Sequence, residues 1–161
     1  MKITTKTGDQ GLTDLSGRRV SKASDIMDLM GALDEVSADC ICLASTYPQY
    51  RADMEQIVSD LSHCCAVIGG YTPALDSQST ERLQNRITEL TEGKEFRFHY
   101  PFDDPCAAMF NKIRTVVRRA ERCYWKVDSK IDRETGHYLN RLSDYFFACQ
   151  ISCSTINKEE E

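Results

Sequence analysis

The stretch IMDLMGALDEVSADCICL, residues 26–43, decides the fold. Ile26, Leu29, Leu33, Val36, Cys40 and Leu43 recur at alternating intervals of three and four, which places them on one face of an amphipathic helix. Working outward, the same spacing returns in Met54, Ile57, Leu61, Cys64 and Ile68, and Gly69-Gly70 stops that helix. A shorter stripe runs through Leu83, Ile87 and Leu90 and ends near Gly93. A fourth is Cys106, Met109, Ile113, Val116, Ala120 and Cys123, and a fifth is Leu139, Leu142, Phe146, Cys149, Cys153 and Ile156. Strand-like alternation is confined to Glu95–Tyr100 and to short pieces near the N-terminus. The reading is all-α: a five-helix bundle over residues 25–157, with helices crossing at shallow angles. An irregular segment, 1–24, precedes it, and 1–161 form a single domain. The terminal Lys158-Glu159-Glu160-Glu161 reads as a frayed, solvated end.

A chain of 161 residues can bury one continuous core. Net charge is −5, which disfavours nucleic acid as a partner, because phosphate backbones repel an acidic domain. No apolar run is long enough to cross a bilayer and MKITTKTGDQ holds no signal-peptide core, so the expectation is a cytoplasmic protein without membrane contact. Six of the eight cysteines (Cys40, Cys64, Cys106, Cys123, Cys149, Cys153) fall on the apolar stripes, where a reduced thiol behaves as a small hydrophobe. Cys64-Cys65 and Cys149-x-x-x-Cys153 are the alternative zinc ligands, but neither has Cys-x-x-Cys spacing. A di-metal carboxylate site needs Glu-x-x-His on two helices, and the sequence holds one such string, Glu134-Thr135-Gly136-His137. No metal ligands are assigned.

Three segments carry more chemistry than a bundle requires. Thr5-Lys6-Thr7-Gly8-Asp9-Gln10-Gly11-Leu12-Thr13, followed by Lys22, combines glycines, hydroxyls and ammonium groups. That mixture suits either a surface turn or the wrapping of a polyphosphate, although it is not a Walker A loop. In Arg114-Thr115-Val116-Val117-Arg118-Arg119-Ala120-Glu121-Arg122, helical spacing sets Arg114, Arg118, Glu121 and Arg122 on one face beside the core stripe. Such arginines need an anion among them, either carboxylates of neighbouring helices or a triphosphate, whose oxygens match guanidinium forks. In Tyr138-Leu139-Asn140-Arg141-Leu142-Ser143-Asp144-Tyr145, Asn140 and Asp144 flank the fifth stripe. An amide there serves an interhelical bond or a nucleoside edge.

Taken together, TKTGDQGLT, the lysine of VSK, GALDE at Gly31–Glu35, RTVVRRAER at Arg114–Arg122 and YLNRLSDYFF at Tyr138–Phe147 closely resemble the PduO-type ATP:cob(I)alamin adenosyltransferases, in order and over nearly the whole chain. The resemblance implies a ferritin-like, adenosyltransferase-like bundle, a homotrimer, and active sites between subunits. It implies that Thr5, Lys6, Thr7, Gly8, Thr13, Asp14 and Lys22 enclose the phosphates of ATP, and that Arg118, Arg119, Ala120, Glu121, Arg122 and Asn140 complete the nucleotide site. Arg114 would pair with Asp34 across the interface, and Phe98 would cover the lower face of the corrin. Those two, with Asp34 and Arg118, are the expected catalytic group. The implied reaction is attack of cob(I)alamin on the 5′ carbon of ATP with expulsion of tripolyphosphate. Mg²⁺ would accompany ATP, a corrinoid reductase would supply cob(I)alamin, and an adenosylcobalamin-dependent client enzyme would take the product.

The chain departs from that family in places. Pro101-Phe102-Asp103-Asp104 stands where a Pro-Gly-Gly turn is usual, Asn111 where histidine is common, and the late-helix arginine is missing around Gln150-Ile151. These changes gather on the corrinoid side and leave open a non-catalytic relative that senses or delivers its ligand. A purely structural bundle is the third reading.

Overall fold

The computed structural model describes residues 3–4, 6–94, 99–127 and 131–159. Five helices follow a β-hairpin: β1 (Leu12–Leu15), β2 (Arg18–Ser21), α1 (Asp25–Thr46), α2 (Arg51–Ile68), α3 (Ser77–Thr91), α4 (Pro105–Tyr124) and α5 (Arg133–Glu159). A single 3-10 turn, Pro48–Tyr50, joins α1 to α2. The packing order runs α2, α1, α4, α5, α3, because α4 packs on both α1 and α5 while α5 also packs on α3. Carboxylates close the ring. Arg82 and Arg86 of α3 pair with Asp60 and Asp53 of α2.

The five stripes form the core. Leu29, Leu33, Val36, Cys40 and Leu43 of α1 meet Met54, Ile57 and Leu61 of α2, Ile113 and Val117 of α4, and Leu139, Leu142 and Phe146 of α5. Ile26 at the head of the first stripe is only partly buried, as are Ile87 and Leu90 of α3. Four of the six stripe cysteines are buried, but Cys106 and Cys123 are half-buried, and all eight are free thiols. The glycine stops hold, with Gly70 at φ +78° after α2 and Gly93 at φ +71° after α3.

Local signals the periodicity did not use set the helix starts. Asp76 and Asp104 cap α3 and α4 by accepting from Gln78 and Ala107 N–H groups. Asp132 accepts from the Thr135 N–H and hydroxyl and from the Leu75 N–H, so α5 starts at Arg133, six residues before its apolar stripe. Gly136 therefore lies inside α5, where a Cβ would stand 2.6 Å from the Tyr124 ring.

The expectation for residues 1–24 needs correction: the segment is not irregular throughout. Thr13 pairs with Val20 and Asp14 with Arg19 across the hairpin. Its two-residue turn, Ser16-Gly17, takes positive φ at both positions, the geometry that matches the twist of paired strands. Leu15 is buried, and the Ser16 N–H donates to the Tyr71 hydroxyl at 3.0 Å. Of the alternating stretch Glu95–Tyr100, residues 95–98 lie outside the described residues, and His99 and Tyr100 are not in a strand. Among the described residues, no helix is long and apolar enough to cross a membrane.

Candidate nucleotide and corrinoid site

The N-terminal loop is built around Gly8 and Lys22. Backbone bonds from Asp9 to Lys6, Gly11 to Gly8 and Lys22 to Gly11 fold residues 6–11 into consecutive turns. Lys6 and Gly11 sit at φ +61° and +75°, and such left-handed turns point N–H groups toward one side. The Lys22 ammonium lies across Gly8, 2.7 Å from where a Cβ would stand, so only glycine admits the lysine there. Arg19 holds the loop to the hairpin, donating to the Thr7 carbonyl at 2.8 Å and pairing with Asp14 at 3.3 Å. Lys6, Thr7, Asp14 and Lys22 are exposed, and Gly8 and Thr13 are half-buried. Thr5 lies outside the described residues.

On α4 the structure divides the cationic groups between two faces. Arg119 pairs with Glu35 of α1. Arg119 and Arg122 line a cavity of about 570 Å³ between α1 and α4, together with Lys126, Glu35 and Asp28. Arg122 thus shares a space with Arg119, not only the face of Arg114 and Arg118 assigned from helical spacing. On the other face, Asn140 of α5 donates to Glu121 at 3.2 Å. Arg118 and Arg122 are exposed, and neither has an ion-pair partner among the described residues. Two such guanidiniums one turn apart repel each other and suit an anion placed between them. Ala120 is fully buried in the core, so it spaces its neighbours and offers no side chain outward.

Arg114 is half-buried, and its guanidinium donates twice to Asn111 Oδ1, at 2.9 and 3.3 Å. Burial, and then the nearby charge of Arg118, hold it below the ordinary arginine value. Within one chain its partner is Asn111, whereas Asp34 is exposed on α1. Asn111, noted from sequence only as a departure, is therefore what fixes Arg114.

The 99–104 segment explains two further departures. Asp104 is the N-cap of α4 and Pro105 its first residue, a pairing that suits a helix start. Among the described residues, Lys6 and Ser16 are the non-glycine positions with positive φ, so residues 101–104 need no glycine for their backbone. Gln150 of α5, fully buried, donates to the His99 carbonyl at 3.2 Å and secures the segment. Phe102 is 90% exposed, with its ring 6.1 Å from that of Tyr100. Phe98 lies outside the described residues.

Sequence reasoning missed Glu35 and Lys126 as cavity groups and Arg19 as the clamp of the loop. Glu35 falls inside the GALDE string and Lys126 lies four residues past Arg122, but only tertiary packing shows which face each one joins. Among the described residues, no cluster of His, Cys, Asp and Glu could hold a metal ion.

Comparison with known proteins fits this arrangement. The chain is 35% identical to the corrinoid adenosyltransferase of Bacillus subtilis, over 92% of this chain and 84% of that protein. It is 32% identical to the corrinoid adenosyltransferase of Mycobacterium leprae, over 97% and 93% of the two chains. The fold superposes with a TM-score of 0.89 on a variant PduO-type ATP:corrinoid adenosyltransferase from Lactobacillus reuteri complexed with cobalamin and ATP. That alignment is 25% identical and covers 98% of this chain and 93% of the other. The cobalamin adenosyltransferase family model matches residues 3–153, which takes in the hairpin, the arginine helix and all of the bundle but the end of α5, and the chain belongs to the cobalamin adenosyltransferase family.

Proposed function

We propose that this protein transfers the 5′-deoxyadenosyl group of ATP to cob(I)alamin and releases tripolyphosphate. The observation that supports it most is the whole-chain likeness to a relative complexed with both substrates. In this reading the reduced cobalt of the substrate attacks C5′, the new Co–C bond forms as the C5′–O bond breaks, and the triphosphate leaves with the electron pair. The protein needs no nucleophile of its own, and the site residues contain no nucleophile–base pair. Its work is to align C5′ and to stabilise charge on the leaving group.

The turns at 6–11, with Lys22 across Gly8, would take the phosphates. Thr7 and Thr13 add hydroxyls, Thr5 is assigned to the same task by resemblance, and Asp14 and Arg19 hold the hairpin in register. Arg118, Arg119 and Arg122 supply cations to the triphosphate, and Glu121 with Asn140 receives the nucleoside. Mg²⁺ would arrive on the phosphates, since it dehydrates reluctantly and needs few protein ligands.

A homotrimer is part of this reading, and the setting of Arg114 supports it. A half-buried guanidinium whose neighbours are a neutral amide and another arginine calls for a carboxylate, and the exposed Asp34 of an adjacent subunit would supply it. Phe98 would cover the lower face of the corrin, with Gln150 and Asp104 anchoring the segment that follows it. The cytoplasm, a corrinoid reductase and an adenosylcobalamin-dependent client complete the setting. The altered 101–104 segment favours the second reading, a non-catalytic sensor or delivery protein, but Asp104 acts there as a helix cap, which gives that departure a structural role of its own. Analysis of the phosphate product tests the proposal: intact tripolyphosphate supports attack at C5′, whereas ADP or diphosphate would place the chemistry at phosphorus and refute it.

A further inference from the structure

Two thiols outside the nucleotide site stand together. Cys106 lies in the first turn of α4 and Cys153 late in α5, 47 residues away, yet their sulfurs are 3.2 Å apart. Both are free, and the Tyr50 hydroxyl lies 2.9 Å from the Cys153 sulfur. They line an open cavity of about 250 Å³ with Tyr47, Gln49 and Asp104. A disulfide requires sulfurs about 2.05 Å apart, so side-chain rotation has roughly 1 Å left to close. The other cysteines offer less: Cys64 and Cys65 are sequence neighbours, and Cys149 lies one turn from Cys153 on the same helix.

We propose that Cys106 and Cys153 are a reversible disulfide site, closed by a peroxide and opened by a dithiol, that staples α4 to α5 beside the 99–104 segment. Cys106 reacts first because it is half-buried at the mouth of the cavity while Cys153 is only 5% exposed. It also sits at a helix N-terminus, whose N–H groups favour an anion. The Cys106 thiolate attacks the peroxide O–O bond, forming a sulfenic acid and releasing hydroxide. The Cys153 sulfur then displaces the sulfenic hydroxyl, and its proton leaves with that group as water. In sum, two thiols and one hydrogen peroxide give one disulfide and two waters. Burial pushes the Cys153 thiol up to about 12, which suits a resolving group that stays protonated until Cys106 is oxidised. Burial raises the Cys106 thiol as well, so the bridge forms slowly and under sustained oxidant. This staple is independent of the adenosyl-transfer reading.

Folded full-length protein treated with hydrogen peroxide, alkylated, digested without reductant and examined by mass spectrometry tests the proposal. The expected product is a peptide pair joined through Cys106 and Cys153, lost on dithiothreitol treatment, in a protein that melts at higher temperature than its reduced form. Cys106→Ser and Cys153→Ser should each abolish the bridge, and Cys149→Ser should leave it. If a variant fails to fold, the wild-type peptide map alone decides. Unlinked Cys106, Cys106 recovered as sulfinic acid, or Cys153 joined to Cys149 would each overturn the proposal.

Discussion

Asn140 on α5 donates its amide to Glu121 on α4 at 3.2 Å, which locks together two side chains assigned to the nucleoside. Removing the amide leaves Glu121 without that donor and, in the proposed site, takes away a contact to the nucleoside. A hydrogen bond of this kind contributes about 0.5–1.5 kcal/mol. Asn140→Ala should therefore weaken ATP binding about three- to tenfold. Asn140→Asp should be worse, because it sets two carboxylates at hydrogen-bond distance. Calorimetric titration with ATP and Mg²⁺ checks both, and equal affinities in all three proteins would remove Asn140 from the site.

Gly8→Ala separates binding from folding. The new methyl would meet the Lys22 ammonium, the end of a flexible side chain, and backbone no closer than 3.6 Å. The lysine can swing away, so stability should change by less than about 0.5 kcal/mol. ATP affinity should fall about tenfold or more, because a charge-assisted contact is worth about 1.5–3 kcal/mol. Thermal melting with and without ATP reads both quantities in one experiment.

Asp104→Ala removes the α4 cap at 2.9 Å from the Ala107 N–H and should cost about 0.5–2 kcal/mol. Asp103→Ala, at an exposed neighbour, should be silent. Denaturant unfolding distinguishes them. Equal behaviour would mean that the two acidic residues are not doing different jobs.

Much of this was legible in the sequence, and the reasons differ by element. The stripes gave five helices because a bundle core must repeat at three and four residues, and Leu33, Ile113 and Leu142 are buried accordingly. The start of α5 at Arg133 lies six residues before its apolar stripe and so outside what periodicity marks, because Asp132 caps it through side-chain bonds and the first turns carry little apolar pattern. Residues 1–24 read as irregular with short strand-like pieces, since four-residue strands give too short an alternation to define a hairpin, although Ser16-Gly17 is a turn signal. Within the site, residue types on one helix were readable by spacing. Pairings between helices, such as Glu35 with Arg119 or Cys106 with Cys153, depend on rotation and offset that no local pattern encodes.

Arg114→Ala tests assembly. If Arg114 meets Asp34 of another subunit, truncating either side leaves a buried charge alone, at about 3–5 kcal/mol. Sedimentation should show a wild-type trimer that Arg114→Ala and Asp34→Ala both weaken, with the double variant no worse than either. Arg51→Ala, at an exposed pair on α2, should leave assembly unchanged. A monomeric wild type would refute the trimer.

The most direct measurement is an anaerobic reaction of the purified protein with ATP, Mg²⁺ and chemically reduced cob(I)alamin, followed by the absorbance of the cobalt–carbon product. Wild type should convert the corrinoid to adenosylcobalamin, one tripolyphosphate per product. Arg118→Ala should convert it slowly at the same ATP concentration. Phe98→Ala should be impaired more when cobalt begins as Co(II) than as Co(I). Wild-type protein that binds ATP and cobalamin but forms no cobalt–carbon bond from Co(I) would contradict the account.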